Sequence, residues 1–187
     1  ADANKKLITL VNEMLDFTKI EKNRLQMDVN DINIDKILEG VIKNLKEYID
    51  RHNIKVCYEK IEGEIPVVKG DKVRAQQIFQ NLIENAIQYS RFSNMNECSV
   101  DINLSVNEGL VEVSVKDSGI GIPVREQGKI FERFYRATNA VKFASSGTGL
   151  GLYIAKSILK ELGGNIRFES EQDVGTTFFV TFPISKK

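Results

Sequence analysis

Across residues 71–90, DKVRAQQIFQNLIENAIQYS, apolar and polar positions recur with the period of a helix that carries two distinct faces. Ile78, Phe79, Leu82, Ile83 and Ala86 form one stripe, suited to a core. Gln77, Asn81, Glu84, Asn85 and Gln88 form the opposite stripe. Asn81 and Asn85 stand one turn apart on it, although asparagine is a poor helix former that favours caps and turns. A solvated face would be served as well by Lys and Glu. The two amides therefore raise a second reading, a wall of side-chain oxygens facing a bound ion.

The same patterning predicts the remaining elements. Residues 1–26 read as a helix in which Leu7, Leu10, Met14 and Phe17 recur at steps of three and four, with Val11 and Ile20 beside them. That is a seam for another helix. With no capping signal ahead of it, this helix is expected to belong to a bundle whose remainder lies upstream. A helix docked on its own domain is the competing expectation. Residues 27–33 suggest a short strand, and Ile34 to Asp50 a helix with Ile37, Leu38, Val41, Ile42, Leu45 and Ile49 inward. Residues 54–59 alternate as a strand, 65–68 suggest another, and Asp71 is placed to cap the helix that follows it. Residues 100–106 and 110–116 form strands joined by Asn-Glu-Gly. Residues 149–162 form a helix closed by Gly163 and Gly164, and 165–170 with 176–182 a last hairpin over Asp173 to Gly175. Helices interleaved with hairpin-linked strands predict an α+β fold, a two-layer sandwich with helices on one face of a mixed, mostly antiparallel sheet.

Composition narrows the function classes. A chain of 187 residues holds one compact domain and an appendage. Lys+Arg and Asp+Glu are both 26, so no global field recruits nucleic acid or a membrane surface. No apolar run approaches the roughly 20 residues of a membrane span, and the charged, helical first residues do not read as a secretion signal. Cys57 and Cys98 lie far apart in no metal-binding pattern, and read as free thiols of a reducing compartment.

Two further motifs carry chemistry. Asp117-Ser-Gly119-Ile-Gly121-Ile-Pro123 follows a strand in which Val111, Val113 and Val115 share one face, and Asp117 has their parity. Its carboxylate then points inward, where it needs a partner. The exocyclic amine of adenine is such a donor, whereas guanine presents a carbonyl. A strand-ending Asp-Ser-Gly turn is the plainer alternative. Gly147-Thr148-Gly149-Leu150-Gly151 opens the helix at 149–162, exposing backbone N–H groups to phosphate oxygens. It is neither a Walker A loop, since no Gly-Lys-Ser/Thr follows, nor a dinucleotide fingerprint, whose third glycine would come later. Between the two lies Ile130-Phe-Glu-Arg-Phe-Tyr-Arg136, where Phe131 and Phe134 suit packing and Arg133 or Arg136 suits a triphosphate. The small, polar residues after it suit a lid.

Taken in order over residues 71–152, these motifs resemble the catalytic and ATP-binding domain of sensor histidine kinases, in the family shared with gyrase, heat-shock-protein-90 chaperones and mismatch-repair ATPases. Asn81 to Asn85 resembles the N box, Asp117 to Gly121 the G1 box, Phe131 to Arg136 the F box and Gly147 to Gly151 the G2 box. The resemblance implies ATP held under a lid, with Mg²⁺ on the side-chain oxygens of Asn85 and Asn81. It implies Asp117 on the adenine amine, Tyr89 near the nucleotide, and Arg136 at the phosphates. Gly119, Gly121, Gly147, Thr148, Gly149, Leu150 and Gly151 would shape the pocket. Gln88 stands where the family usually has Lys, so a charged phosphate contact is missing. The ATPase branch carries Glu at the place of Asn81; an amide is no general base, which implies a phosphoryl donor rather than a hydrolase. Residues 1–26 resemble the second helix of the dimerisation and phosphoacceptor hairpin, leaving 27–187 as the catalytic domain. The implied partners are the phosphoacceptor histidine helix of the parent protein, a response-regulator receiver domain and a second copy in a homodimer, with no nucleic acid. The implied site of action of this domain is cytoplasmic, and whether the parent is membrane-anchored is left open. His52, the one histidine, sits at a helix end and reads as structural rather than as the acceptor.

Overall fold

The computed structural model describes residues 2–61, 63–92, 99–143 and 147–185, without the side chains of residues 2–6. Cys98 lies outside the described residues. The helices are α1 (Asp2–Glu21), α2 (Ile34–Asn44), α3 (Lys46–His52), α4 (Lys72–Ser90), α5 (Thr138–Phe143) and α6 (Gly151–Glu161). The strands are β1 (Asn30–Ile32), β2 (Lys55–Glu59), β3 (Val68–Gly70), β4 (Ser99–Asn107), β5 (Leu110–Asp117), β6 (Asn165–Glu171) and β7 (Gly175–Pro183). The main sheet runs β2-β4-β5-β7-β6; β2 lies parallel to β4, and the other pairs are antiparallel. β1 and β3 form a separate antiparallel ribbon. This is the two-layer sandwich that the patterning predicts.

Strand parity makes the core. On β5, Val111, Val113 and Val115 are buried while Leu110 and Lys116 between the turns of the pleat are exposed. Ile102 and Leu104 on β4 and Val180 and Phe182 on β7 extend the apolar face. Ile78, Phe79, Leu82 and Ile83 of α4, Ile154 and Ile158 of α6, and Ile37 and Leu38 of α2 cover it. Truncating a side chain such as Leu82 to Ala costs about 2–5 kcal/mol, through lost burial and the cavity left behind. α4 begins where Asp71 Oδ1 accepts from the N–H groups of Val73 and Arg74 at 2.9 and 3.1 Å. Its other oxygen accepts from Asp28 N–H at 2.8 Å, tying the segment after α1 to the same helix start.

Several boundaries differ from the pattern. The helix expected over 34–50 is two helices, broken at Leu45 (φ −86°, ψ −2°). Leu45 stays buried through the break, so the apolar spacing runs on across it. The helix expected from Gly149 starts at Gly151, because Gly149 has φ +72°. The strand at 27–33 contracts to Asn30–Ile32, and the one at 65–68 shifts to Val68–Gly70. The 3-10 turn Val124–Lys129 and helix α5 are too short to show a period.

α1 lies against the domain along one side only. Asp16 Oδ2 receives Arg74 at 2.7 Å and Gln77 Nε2 at 2.9 Å, a nearly buried ion pair. Glu21 pairs with Arg133 and accepts from Tyr153 OH, and Phe17 packs on Phe134 and Tyr153 with ring centroids 5.2 and 6.0 Å apart. Leu7, Leu10, Val11 and Met14 of the expected seam stay exposed, by 61, 43, 47 and 41%. Of the described helices, none is long and apolar enough to cross a membrane. His52 closes α3, its Nδ1 2.8 Å from Tyr48 O.

Candidate functional site

The end of β5, the amide-bearing face of α4 and the loop that opens α6 enclose a cavity of about 230 Å³. α4 lines it with Asn81, Glu84, Asn85, Gln88 and Tyr89. Asp117, Gly121 and Ile122 enter from β5 and its loop, and Arg136 from the segment before α5. Gly147, Thr148, Gly149 and Gly151 close the far wall. Two members of the expected set stand apart from the lining. Leu150 is fully buried in the hydrophobic core. Gly119 packs behind the wall, where a Cβ would stand 2.8 Å from the Tyr89 carbonyl carbon. Arg133 is engaged with Glu21 on α1 and does not line the cavity, which distinguishes it from Arg136.

One end of the cavity is built around Asp117, which is 6% exposed. Its Oδ1 accepts from Gly119 N–H at 2.9 Å and from Thr176 N–H at 3.3 Å, the latter across the β5–β7 register. Burial raises its pKa from 3.8 to about 7, against the lowering effect of those two N–H groups. With Oδ1 so occupied, Oδ2 is the atom left to meet a ligand donor. Ile120, Ile130 and Phe178 add apolar wall at this end. Gly121 has φ +58°, and a Cβ there would meet the Glu171 carbonyl oxygen at 1.9 Å. The glycine is thus required by the protein's own chain and not only by a close ligand.

The other end is polar. Asn85 Nδ2 donates to Asn81 Oδ1 at 3.3 Å, and Asn81 Nδ2 is buried with no hydrogen-bond partner. A buried donor left unpaired is costly, and the reversed amide orientation removes that cost by putting the Asn81 oxygen in its place. Gly151 permits the approach: a Cβ there would lie 2.4 Å from Asn81 Oδ1. Thr148 Oγ1 accepts from Leu150 N–H at 3.1 Å and donates to Glu13 of α1, which also lines the cavity. Burial raises the pKa of Glu13, with Thr148 lowering it and Asp16 raising it further. Glu84 is raised by burial too, with Gln80 opposing and Glu13 adding. Arg136 is hydrogen-bonded to Tyr89 and directs Nη2 to Ala140 O at 3.5 Å. Burial, the larger effect, raises the Tyr89 pKa while Arg136 lowers it.

The oxygen-bearing groups at the polar end suit a hard divalent cation. Among the described residues there is no group of three or more His, Cys, Asp or Glu that would hold a metal alone. A cation beside Asn81 and Asn85 would draw its remaining ligands from phosphate and water. Glu13 and Thr176 escape a reading of the sequence, because one arrives from a distant helix and the other acts through its backbone. Asn139, which lines the cavity and donates to Gly121 O at 2.8 Å, carries no local signal either.

A carboxylate at the sheet's end and an amide pair on the covering helix face one cavity of a two-layer α+β domain. The chain belongs to the histidine kinase-, DNA gyrase B- and HSP90-like ATPase family, whose model matches residues 70–186. The signal transduction histidine-protein kinase BarA of Escherichia coli (strain K12) is 33% identical over 174 residues, covering 92% of this chain and 19% of BarA. The sensor histidine kinase RcsC of the same strain is 29% identical over 180 residues, covering 95% and 18% respectively. The chain therefore spans about a fifth of the length of these curated relatives. The nucleotide-free catalytic domain of histidine kinase ThkA superposes with a TM-score of 0.71 at 30% identity, covering 86% of this chain and 100% of that one. Full-length ShkA in complex with AMPPNP shares the fold, with a TM-score of 0.81 at 23% identity over 100% of this chain and 37% of ShkA.

Proposed function

We propose that this chain is the phosphoryl-donating part of a sensor histidine kinase, which transfers the γ-phosphoryl group of ATP to a histidine on a helical hairpin of the parent protein. The observation that carries this reading is that Asp117 and the Asn81/Asn85 pair, on different elements, line the same cavity. Asp117 Oδ2 accepts from the adenine amine. The triphosphate runs toward the start of α6, where free backbone N–H groups and the helix dipole favour anions. Arg136 adds a positive charge at the terminal phosphate. With the Asn81 amide reversed, the side-chain oxygens of Asn81 and Asn85 would hold Mg²⁺, which would neutralise charge on the phosphates. In the reaction the bond between γ-phosphorus and the bridging oxygen breaks, a nitrogen–phosphorus bond forms on the imidazole, and ADP leaves.

Asn81 supports donation over hydrolysis, because an amide does not take a proton from water. α1 is then the second helix of the dimerisation hairpin, its exposed Leu7, Leu10, Val11 and Met14 facing the first helix and a second copy. A receiver domain of a response regulator takes the phosphoryl group onward. The test supplies the purified chain with γ-labelled ATP, Mg²⁺ and a separate hairpin bearing the acceptor histidine. Acid-labile label on the hairpin, with none on His52, is the expected result. Steady phosphate release without label would instead mark a hydrolysing ATPase, and ATP binding with neither would mark a sensing module.

A further inference from the structure

Four carboxylates among the described residues are buried: Asp16, Asp71, Asp117 and Glu126. The first pairs with Arg74, the second caps α4 and the third faces the cavity. Glu126 does none of these. It sits on the 3-10 turn Val124–Lys129, outside the cavity lining, and is 6% exposed.

Its partners come largely from one short segment. Thr138 N–H donates to Oε2 and the Thr138 hydroxyl to Oε1, both at 2.7 Å. Tyr135 OH donates to Oε2 at 3.3 Å. Arg125, mostly in solvent, approaches Oε1 at 3.4 Å. The Thr138 N–H foremost, then its hydroxyl, hold the Glu126 pKa below the ordinary glutamate value, so the acceptor stays ionised. Arg136 lies between the two anchored residues and lines the cavity, with a Gly147 Cβ position 3.3 Å from its Nε.

We propose that Glu126 is a positioning residue of the phosphate end: by pinning Tyr135 and Thr138 it aims Arg136, between them, at the terminal phosphate of the bound nucleotide. This rests on the nucleotide reading of the cavity. Anchors on both sides of residue 136 remove the backbone freedom that would let its guanidinium wander, and they fix the start of α5 as well. The guanidinium then meets the phosphate already oriented, which is where a charged contact gains most. Glu126 itself touches no part of the nucleotide.

The experiment compares ATP, ADP and adenosine binding to the full chain by calorimetry, for the parent, Glu126→Gln, Arg136→Ala and the double variant. Glu126→Gln should weaken ATP about tenfold, leave adenosine unchanged, and shrink the preference for ATP over ADP toward that of Arg136→Ala. The double variant should bind ATP no worse than Arg136→Ala alone. Equal losses for ATP and adenosine, or additive losses in the double variant, would overturn the proposal. Tyr135→Phe and Thr138→Ala each remove one donor and cover the case in which Glu126→Gln does not fold. Both should show a smaller loss confined to ATP, and absence of that loss in both would also overturn it. Failure of the parent chain to bind ATP would instead sink the nucleotide reading, which the adenosine and ATP titrations of the parent reveal directly.

Discussion

Replacing Asp117 by Asn should stabilise the empty protein while removing its grip on adenine. The carboxyl has a pKa raised from 3.8 to about 7 because burial disfavours its charge. A folded-state pKa above the unfolded value means that the native state binds this proton more tightly. The resulting stabilisation is complete below about pH 4 and is lost as the pH rises through about 7. At pH 8 an ionised Asp117 therefore costs the fold about 4 kcal/mol relative to a group that does not titrate. Asn keeps an oxygen for the Gly119 and Thr176 N–H groups and carries no charge. Urea unfolding of parent and Asp117→Asn should show the variant more stable, by about 2 kcal/mol at pH 5 and about 4 kcal/mol at pH 7, with equal slopes. ATP should narrow the gap at pH 7 to about 1 kcal/mol, since ligand at a hundred times Kd adds about 2.7 kcal/mol to the parent alone. The same proton also competes with adenine, so the parent's ATP affinity should fall about fivefold from pH 7 to pH 6. A stability difference that is flat with pH, or a variant less stable than the parent at pH 8, would refute the buried, costly carboxylate and the role assigned to it.

The remaining predictions concern the polar end. Asn85→Ala should abolish the Mg²⁺-dependent part of ATP affinity while adenosine still binds, as read by calorimetry with and without Mg²⁺. Arg136→Ala should weaken ATP about tenfold or more, as loss of a charge-assisted phosphate contact does, whereas Arg133→Ala, whose side chain is 57% exposed and paired with Glu21, should leave ATP affinity unchanged. Glu13→Gln removes a negative charge from the wall that would face the triphosphate, so ATP should bind severalfold more tightly at low salt, with the gain shrinking as salt rises.

What was legible beforehand follows from how each feature is encoded. The two faces of α4 and the inward aim of Asp117 are periodic properties, and side-chain direction repeats every 3.6 or 2 residues whatever the tertiary context. The break at Leu45 has no such signature, because its buried side chain preserves the apolar spacing on both sides. Glu13 reaches the cavity only because α1 folds back onto α4 through Asp16 and Arg74, 58 positions apart in the chain. Thr176 meets Asp117 through strand register, and Glu126 meets Thr138 through a turn too short to have a period. The glycines show a subtler limit. Read as a motif, Gly119 and Gly121 suggest a base lying on bare backbone. In the fold both are crowded by the chain itself, Gly119 by Tyr89 and Gly121 by Glu171, so ligand contact is not needed to require them. Gly151 is different: its missing Cβ makes room for the Asn81 amide, the buried group whose nitrogen lacks a partner. Spacing of glycines therefore signals the site most directly where a polar side chain from another element stands beside the missing Cβ, as Asn81 does at Gly151 and Arg136 at Gly147.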